Sequence, residues 1–420
     1  MSAAIDLGRL RAVPQDRVAQ MLILLPMLAY TLLSKIAIPL GSQQAPSFIP
    51  IALATMPLGV LTGRLEVQSG NLIFYMFWMA FLLLEQVFGG NDFSVPSLGL
   101  LFTVHLSYVF RIKPGLLAPD FHLRTFQNIA VFLAICGIAQ FVLQFVIGVD
   151  WAFLVDRKLP EAIVLQNFHN MNPLGFRSDT FKSNGVFLIE PSFFSQISAV
   201  ALLIELTYFR RAERMLLLLG AMVVSYSGTG FLLLFVGLPV LVLKERRYEL
   251  LLIGAVVGAF AVALSSVLGL DLFVERTAEF SSPDSSAFAR FVGGFYLFGQ
   301  YLWPDTLKSL FGFGAGSVMT YIDVADFPAW DPSWVKMPFE YGLAGAGVYY
   351  AFVFFCTLRA PGSPTIKAVL LFALFVAAAL IPPIHTMIIS LLVWPWSPGC
   401  APEPWSFSVF GRPRATLALA

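Results

Sequence analysis

Apolar runs recur along almost the whole chain, and a run of about 20 such residues is what a helix needs to cross a bilayer. They lie at about Val18 to Leu40, then 46–61, 70–90, 97–111, 124–149, 186–208, 213–227, 229–243, 249–271, 334–357 and 366–394. With 58% hydrophobic and 12% charged residues and 41 Phe in 420 positions, such a chain has too little polar material to coat a water-facing surface. Its mean hydropathy of +0.79 says the same. The expected fold is an all-α polytopic integral membrane protein with one membrane domain over 1–420 and about 11–12 transmembrane helices.

The first run exceeds a signal-peptide core and lacks a small-residue cleavage site, so it reads as a retained span. The runs on either side of Ser227-Gly228-Thr229-Gly230 are too short for two comfortable crossings, which calls for tilt or a thinned bilayer. Pro382-Pro383 either kinks one long span or separates two short ones.

Cation placement orients the spans. The connections at 62–69, 111–124, 209–214 and 244–249 carry Arg64, then Arg111, Lys113 and Arg124, then Arg210, Arg211 and Arg214, then Lys244, Arg246 and Arg247. The alternate connections at 41–46, 91–96 and 228 have no Lys or Arg. Under the positive-inside rule the amino terminus is cytoplasmic, and two long polar connections, 150–185 and 272–333, lie outside. Arg412 and Arg414 in the Pro-rich tail 397–420 favour a cytoplasmic carboxyl end.

Several function classes drop out. A net charge of +1 gives nucleic acid no basic field to meet. Cys136, Cys356 and Cys400 have no metal-ligand or disulfide spacing. His169, beside Asn170 and Asn172, reads as a solvated turn residue, and His105 and His385, inside apolar runs, as hydrogen-bonded core histidines. Gly312-Phe-Gly-Ala-Gly316 is a turn, because no strand and helix frame it as a dinucleotide fingerprint requires.

What stays unexplained is the polarity of the two long outer connections. The first contains Arg157, Arg177 and Lys182 and runs into Asn184-Gly-Val-Phe-Leu-Ile-Glu190-Pro191-Ser192. Glu190 lies about 6 Å below the start of its run, at 1.5 Å per residue from Val186. A charge in such a position costs about 2.5–3.5 kcal/mol even on the lenient insertion scale, which makes it a functional candidate unless a partner explains it. The second connection contains Arg276 and Arg290, and from Ala287 to Trp303 it reads as one amphipathic interfacial helix. Phe288, Phe291, Phe295, Phe298 and Leu302 share its apolar side.

These segments, with the Ser225-Tyr-Ser-Gly-Thr-Gly230 hairpin, Phe311-Gly-Phe-Gly-Ala-Gly316 and Met337-Pro-Phe-Glu340-Tyr-Gly-Leu-Ala-Gly345, resemble the O-antigen polymerase and ligase superfamily, in particular its Wzy-like exopolysaccharide and capsule polymerases. Motifs carry the resemblance over roughly 150–357 and hydropathy carries it elsewhere. Where ligases of that superfamily are expected to have a His-Asn pair, this chain has Trp330-Asp331-Pro332-Ser333-Trp334, so polymerase is the better fit. The resemblance implies a glycosyltransferase of a bacterial inner membrane, using no metal or other cofactor. It would join undecaprenyl-diphosphate-linked oligosaccharide repeats at the periplasmic face. Membrane lipid, chain-length-regulating proteins and export proteins of a polysaccharide pathway would be its partners.

Such a reaction needs cations at the departing diphosphate and an acceptor for the attacking hydroxyl's proton. Arg177 and Arg290 are placed at the diphosphate, with Glu190 beside them; Lys182, Arg157, Arg276 and Glu340 are candidate substrate contacts. A transporter or flippase of lipid-linked oligosaccharide is the main competitor, although no internal repeat is visible. An O-antigen ligase and an accessory or receptor subunit are further alternatives.

Overall fold

A computed structural model describes residues 16–40, 43–89, 92–165, 170–175, 178–251, 254, 285–376 and 383–405. The chain is all-α. In order come α1 (Arg17–Leu32), α2 (Phe48–Leu61), α3 (Ser69–Phe88), α4 (Val95–Leu106), α5 (Phe121–Val146), α6 (Val149–Ala152) and α7 (Leu154–Lys158). After these follow α8 (Pro191–Ile204), α9 (Ala212–Ser225), α10 (Gly228–Lys244), α11 (Ser286–Phe291), α12 (Gly293–Leu297), α13 (Thr306–Phe311) and α14 (Val318–Val324). The last are α15 (Ser333–Arg359), α16 (Pro364–Val376) and α17 (Pro383–Ile388), which continues as a wider turn over Ile389–Val393. Among the described residues four helices are long and apolar enough to cross a membrane: Ser69–Phe88, Phe121–Val146, Pro191–Phe209 and Ser333–Arg359.

Helix α8 is the most enclosed of the four, ringed by α5, α9, α10 and α16. Its small buried residues, among them Ser195, Ser198, Ala199 and Ala201, let neighbouring backbones come close, as packing in lipid demands. Helix α15 lies against α3, α13 and α16.

The connections sort to two ends. At one end, β3 (Leu65–Val67) pairs antiparallel with β4 (Phe110–Ile112), and Asp16 meets Arg64 at 3.1 Å. Arg124 bridges Asp120 and Glu403 there at 2.6 and 2.7 Å, and the Tyr208 hydroxyl donates to Pro398 O while accepting from the Ser363 amide. The cation-rich connections named above share this end. The opposite end gathers the segments around Lys35, Asp156, Asn184 and Ser227.

Two expectations are corrected, and at the Pro pair one of the two alternatives is met. Helix α1 stops at Leu32, and Ala37–Leu40 forms β1, paired antiparallel with β2 (Gln43–Pro46). The cause is Ser34-Lys35: the Ser34 side chain turns to Phe187 O and that of Lys35 to Asp156, and helical continuation would carry them away. The interval 287–303 is three short helical pieces rather than one helix. It breaks at Val292 (ψ −45, φ −113), before Gly293 and Gly294, whose bare backbone presses on Pro328 O and on the Trp334 side chain. Phe288, Phe298 and Leu302 are accordingly buried against protein, while Phe295 stays exposed. At the Pro pair, α16 and α17 are two short helices whose far ends share one end of the bundle: Ser363 binds Tyr208, Trp394 donates to Ser107 O, and Pro398 returns to Tyr208. Residues 377–382 between them, the run 249–271 apart from 249–251 and 254, and the tail beyond 405 lie outside the described residues.

Helix α1 begins on Asp16, whose Oδ1 accepts from the Ala19 amide at 2.9 Å. That bond, then Arg64, holds the Asp16 carboxyl below its ordinary 3.8. A depressed carboxylate contributes stability above the unfolded value and loses it as pH falls through the folded one. Amides of the first turn of α1 should therefore lose exchange protection as acid reaches Asp16, whereas Asp16→Asn, which still caps, should show no such step. Identical acid profiles for the two would refute the assignment.

Candidate functional site

The segment leading to Glu190 is held by α5. Two glutamines one turn apart, Gln140 and Gln144, face it: Gln140 Oε1 accepts from the Ser183 hydroxyl at 2.9 Å and from the Asn184 amide at 3.2 Å, and Gln144 both accepts from and donates to the Phe181 backbone. Asn184 in turn donates to Asp156 and to Asn170 O. Lys35 closes the network, 2.6 Å from Asp156, with both side chains almost wholly buried. Burial pushes the Lys35 ammonium down and the Asp156 carboxyl up, each opposed by the other's charge.

The chain then takes a strained turn. Val186, a β-branched residue, has φ 69, a backbone region that such residues occupy only when surroundings force it. Its carbonyl accepts from Lys35 and its amide donates to Asn184 Oδ1. This turn delivers Glu190 to the N-cap of α8, with Pro191 as the first helical residue. Glu190 is half-buried, and its Oε2 accepts from the Ser192 hydroxyl at 3.0 Å. Ser192 O accepts from Thr229 Oγ1, which also meets the Ser227 hydroxyl. Ser195 Oγ donates to Ser227 O and accepts from the Gly230 amide. The hairpin at 225–230 is thereby stitched onto the start of α8.

From the second long connection comes Arg290 on α11. Its side chain is buried, its guanidinium lies over the Trp330 ring at 4.8 Å, and its Nε has no hydrogen-bond partner among the described residues. Burial lowers the pKa of Arg290, and the charge of Glu190 acts against that lowering. The two residues are thus within electrostatic reach although a hundred positions separate them. A half-buried carboxylate within electrostatic reach of a guanidinium with donor capacity to spare can take a proton from a hydroxyl while the guanidinium holds an oxyanion.

The other predicted residues fall elsewhere. Arg177 and Arg276 lie outside the described residues. Arg157 pairs with Asp150 at 3.4 Å, both largely exposed. Lys182 sits half-buried on the Glu190 segment, its amide bonded to Asn172 O. Glu340 is closed into an ion cluster, with Lys336 2.8 Å from Glu340 and 3.5 Å from Asp331; through Asp331 this cluster adjoins Trp330, the platform under Arg290. Sequence reasoning missed Trp330, Lys35 and Gln140. The signal for the last two was a polar residue inside an otherwise apolar run.

The motifs at 311–316 and 337–345 meet backbone to backbone. Phe313 and Gly314 donate to Phe339 O and Glu340 O at 2.9 and 3.0 Å. Gly342 has φ 60 within α15, and a Cβ there would stand 2.1 Å from Leu310 O. Only glycine fits so close an approach. Among the described residues no three His, Cys, Asp or Glu side chains group as metal ligands. No family model, curated protein or solved structure matches the chain.

Proposed function

We propose that the protein is a membrane glycosyltransferase that polymerises polyprenyl-diphosphate-linked oligosaccharide repeats at the outer face of a bacterial inner membrane. In this reading about 11–12 helices cross the bilayer, and the segments 150–185 and 272–333 form two periplasmic connections. The observation that supports it is that the buried guanidinium of Arg290, from one outer connection, lies within electrostatic reach of Glu190, from the other, where the sugar-bearing headgroup of a membrane-anchored substrate must lie.

Arg290, joined by Arg177 and Lys182, holds the diphosphate. As the acceptor hydroxyl oxygen bonds to the anomeric carbon, the bond from that carbon to the diphosphate oxygen breaks and its electron pair leaves with the phosphate. The hydroxyl proton passes to Glu190. Negative charge grows on the leaving oxygens through this step, so fixed guanidinium forks bind the transition state more tightly than the ground state. Ser192 keeps Glu190 oriented.

Glu190→Gln keeps the shape and the Ser192 contact and removes the proton acceptor. Polymer made by cells carrying this variant should fall about 10²–10⁴-fold at normal membrane levels of the protein. Wild-type polymer from Glu190→Gln would leave Glu190 a structural role. Movement of lipid-linked sugar across liposomes without elongation would favour the transporter reading instead.

A further inference from the structure

Helices α3 and α15 run antiparallel and fix a common level at the end opposite the cation-rich one. Phe74 packs on Phe352 and Phe355, and Trp78 stacks on Phe352. Further along, Glu85 and Leu82 come against Gly345, where a Cβ would stand 2.5 and 3.0 Å from their side chains. Phe88 ends α3 three residues beyond Glu85, and Gly342 lies three residues before Gly345. At 1.5 Å per residue, both stand about 4.5 Å nearer that end. Helix α3 is long and apolar enough to cross a membrane, which makes this level the border of the bilayer's apolar layer.

The chain after Trp303 is moored here at three points. Leu310 O lies against Gly342. The Ala315 amide donates to Gln86 Oε1, on the last turn of α3, at 2.8 Å, and Ala315 O accepts at 2.8 Å from the amide of Ser94, which caps α4. Helix α13, which leads into these ties, has two unlike sides. Its polar side is engaged by protein: Asp305 Oδ1 accepts from the Leu307 and Lys308 amides, and the Ser309 hydroxyl donates to Leu302 O. The other side shows Leu307, Leu310 and Phe311, at i, i+3 and i+4, with Trp303 one turn earlier. All four are exposed, Trp303 by 57% and Leu307 by 67%.

The same level carries further exposed apolar side chains: Leu343, one residue past the kink at Gly342, and Leu84 and Phe88 at the end of α3. On a helix of membrane-crossing length such residues meet acyl chains. A strip of large aliphatic side chains led by a Trp, at the depth where aromatic belts sit, fits the same surroundings.

We propose that 303–311 is a membrane-dipping element of the second long connection, with Trp303, Leu307, Leu310 and Phe311 seated among the headgroups and upper acyl carbons of the leaflet at that end. Its partner is bilayer lipid. The interfacial role expected of 287–303 thus falls to the next helix, because Phe288, Phe298 and Leu302 are taken up by protein. The inference rests on the helical bundle and not on glycosyl transfer.

The test places a nitroxide on Leu307→Cys, in a full-length chain that also carries Cys136→Ala, Cys356→Ala and Cys400→Ala, in phosphatidylethanolamine–phosphatidylglycerol liposomes. Collisions with dissolved oxygen should exceed several-fold those with a water-soluble nickel chelate present on both sides, at a depth of about 5–10 Å into the headgroup–acyl boundary. A label met chiefly by the chelate would put the helix in water. One shielded from both reagents would put it against protein, a second copy included; either result overturns the proposal. A measurement with the native cysteines covers a failure of the cysteine-free chain to fold. Lipids brominated on their upper acyl carbons should quench the tryptophan fluorescence of the wild type more than that of Trp303→Phe, and equal quenching of the two would overturn the proposal as well.

Discussion

Arg290→Ala is expected to lower polymer formation by about 10²–10³-fold, the cost of removing one preorganised donor from a developing anion, with the protein still made and inserted. Arg290→Lys should recover little. The Arg290 guanidinium lies over the Trp330 ring, 4.8 Å from its centroid, and its Nε has no partner among the described residues. An ammonium keeps the charge but loses the plane that stacks and the fork that grips two phosphate oxygens at once. Glycan ladders from cells, read beside the amount of protein in the membrane, decide the matter. Normal chain lengths in either variant would remove Arg290 from the mechanism.

Asp156→Ala carries the largest expected loss of stability. It strands Lys35, 2% exposed, without its counter-charge and takes an acceptor from Asn184. Breaking a buried pair from one side costs about 3–5 kcal/mol, because the remaining charge stays uncompensated. Removing both charges with volume kept, Lys35→Met with Asp156→Leu, should restore most of that loss. Melting of the detergent-purified protein reads both. The segment from Ser183 to Glu190 hangs on this network through Asn184 and Val186, so Asp156→Ala should lose polymer along with stability. Equal melting of Asp156→Ala and wild type would show that the pair does not hold the segment.

The long helices were legible because apolar residues without interruption can do little else. Their alternating ends were legible too, since the connections bearing Arg64, Arg124 and Arg211 carry the cations. What escaped was set by partners far away in sequence. The stop at Leu32 depends on Ser34 and Lys35 reaching Phe187 O and Asp156, which no local pattern around residue 33 encodes. The division of 287–303 depends on Pro328 and Trp334 pressing on Gly293 and Gly294. At the site, Glu190 and Arg290 stood out as charges beside apolar runs. Trp330 did not, since an aromatic residue in a loop has many uses and only its place beneath Arg290 distinguishes this one.

The most direct test of the central claim uses purified protein in liposomes with lipid-linked repeat units and nothing else from the pathway. Wild-type protein is predicted to convert them into a ladder of longer lipid-linked glycans and to release polyprenyl diphosphate, and Arg290→Ala is predicted to do neither. A wild type that yields no lengthened glycan, or an Arg290→Ala variant that yields the same ladder, would contradict it.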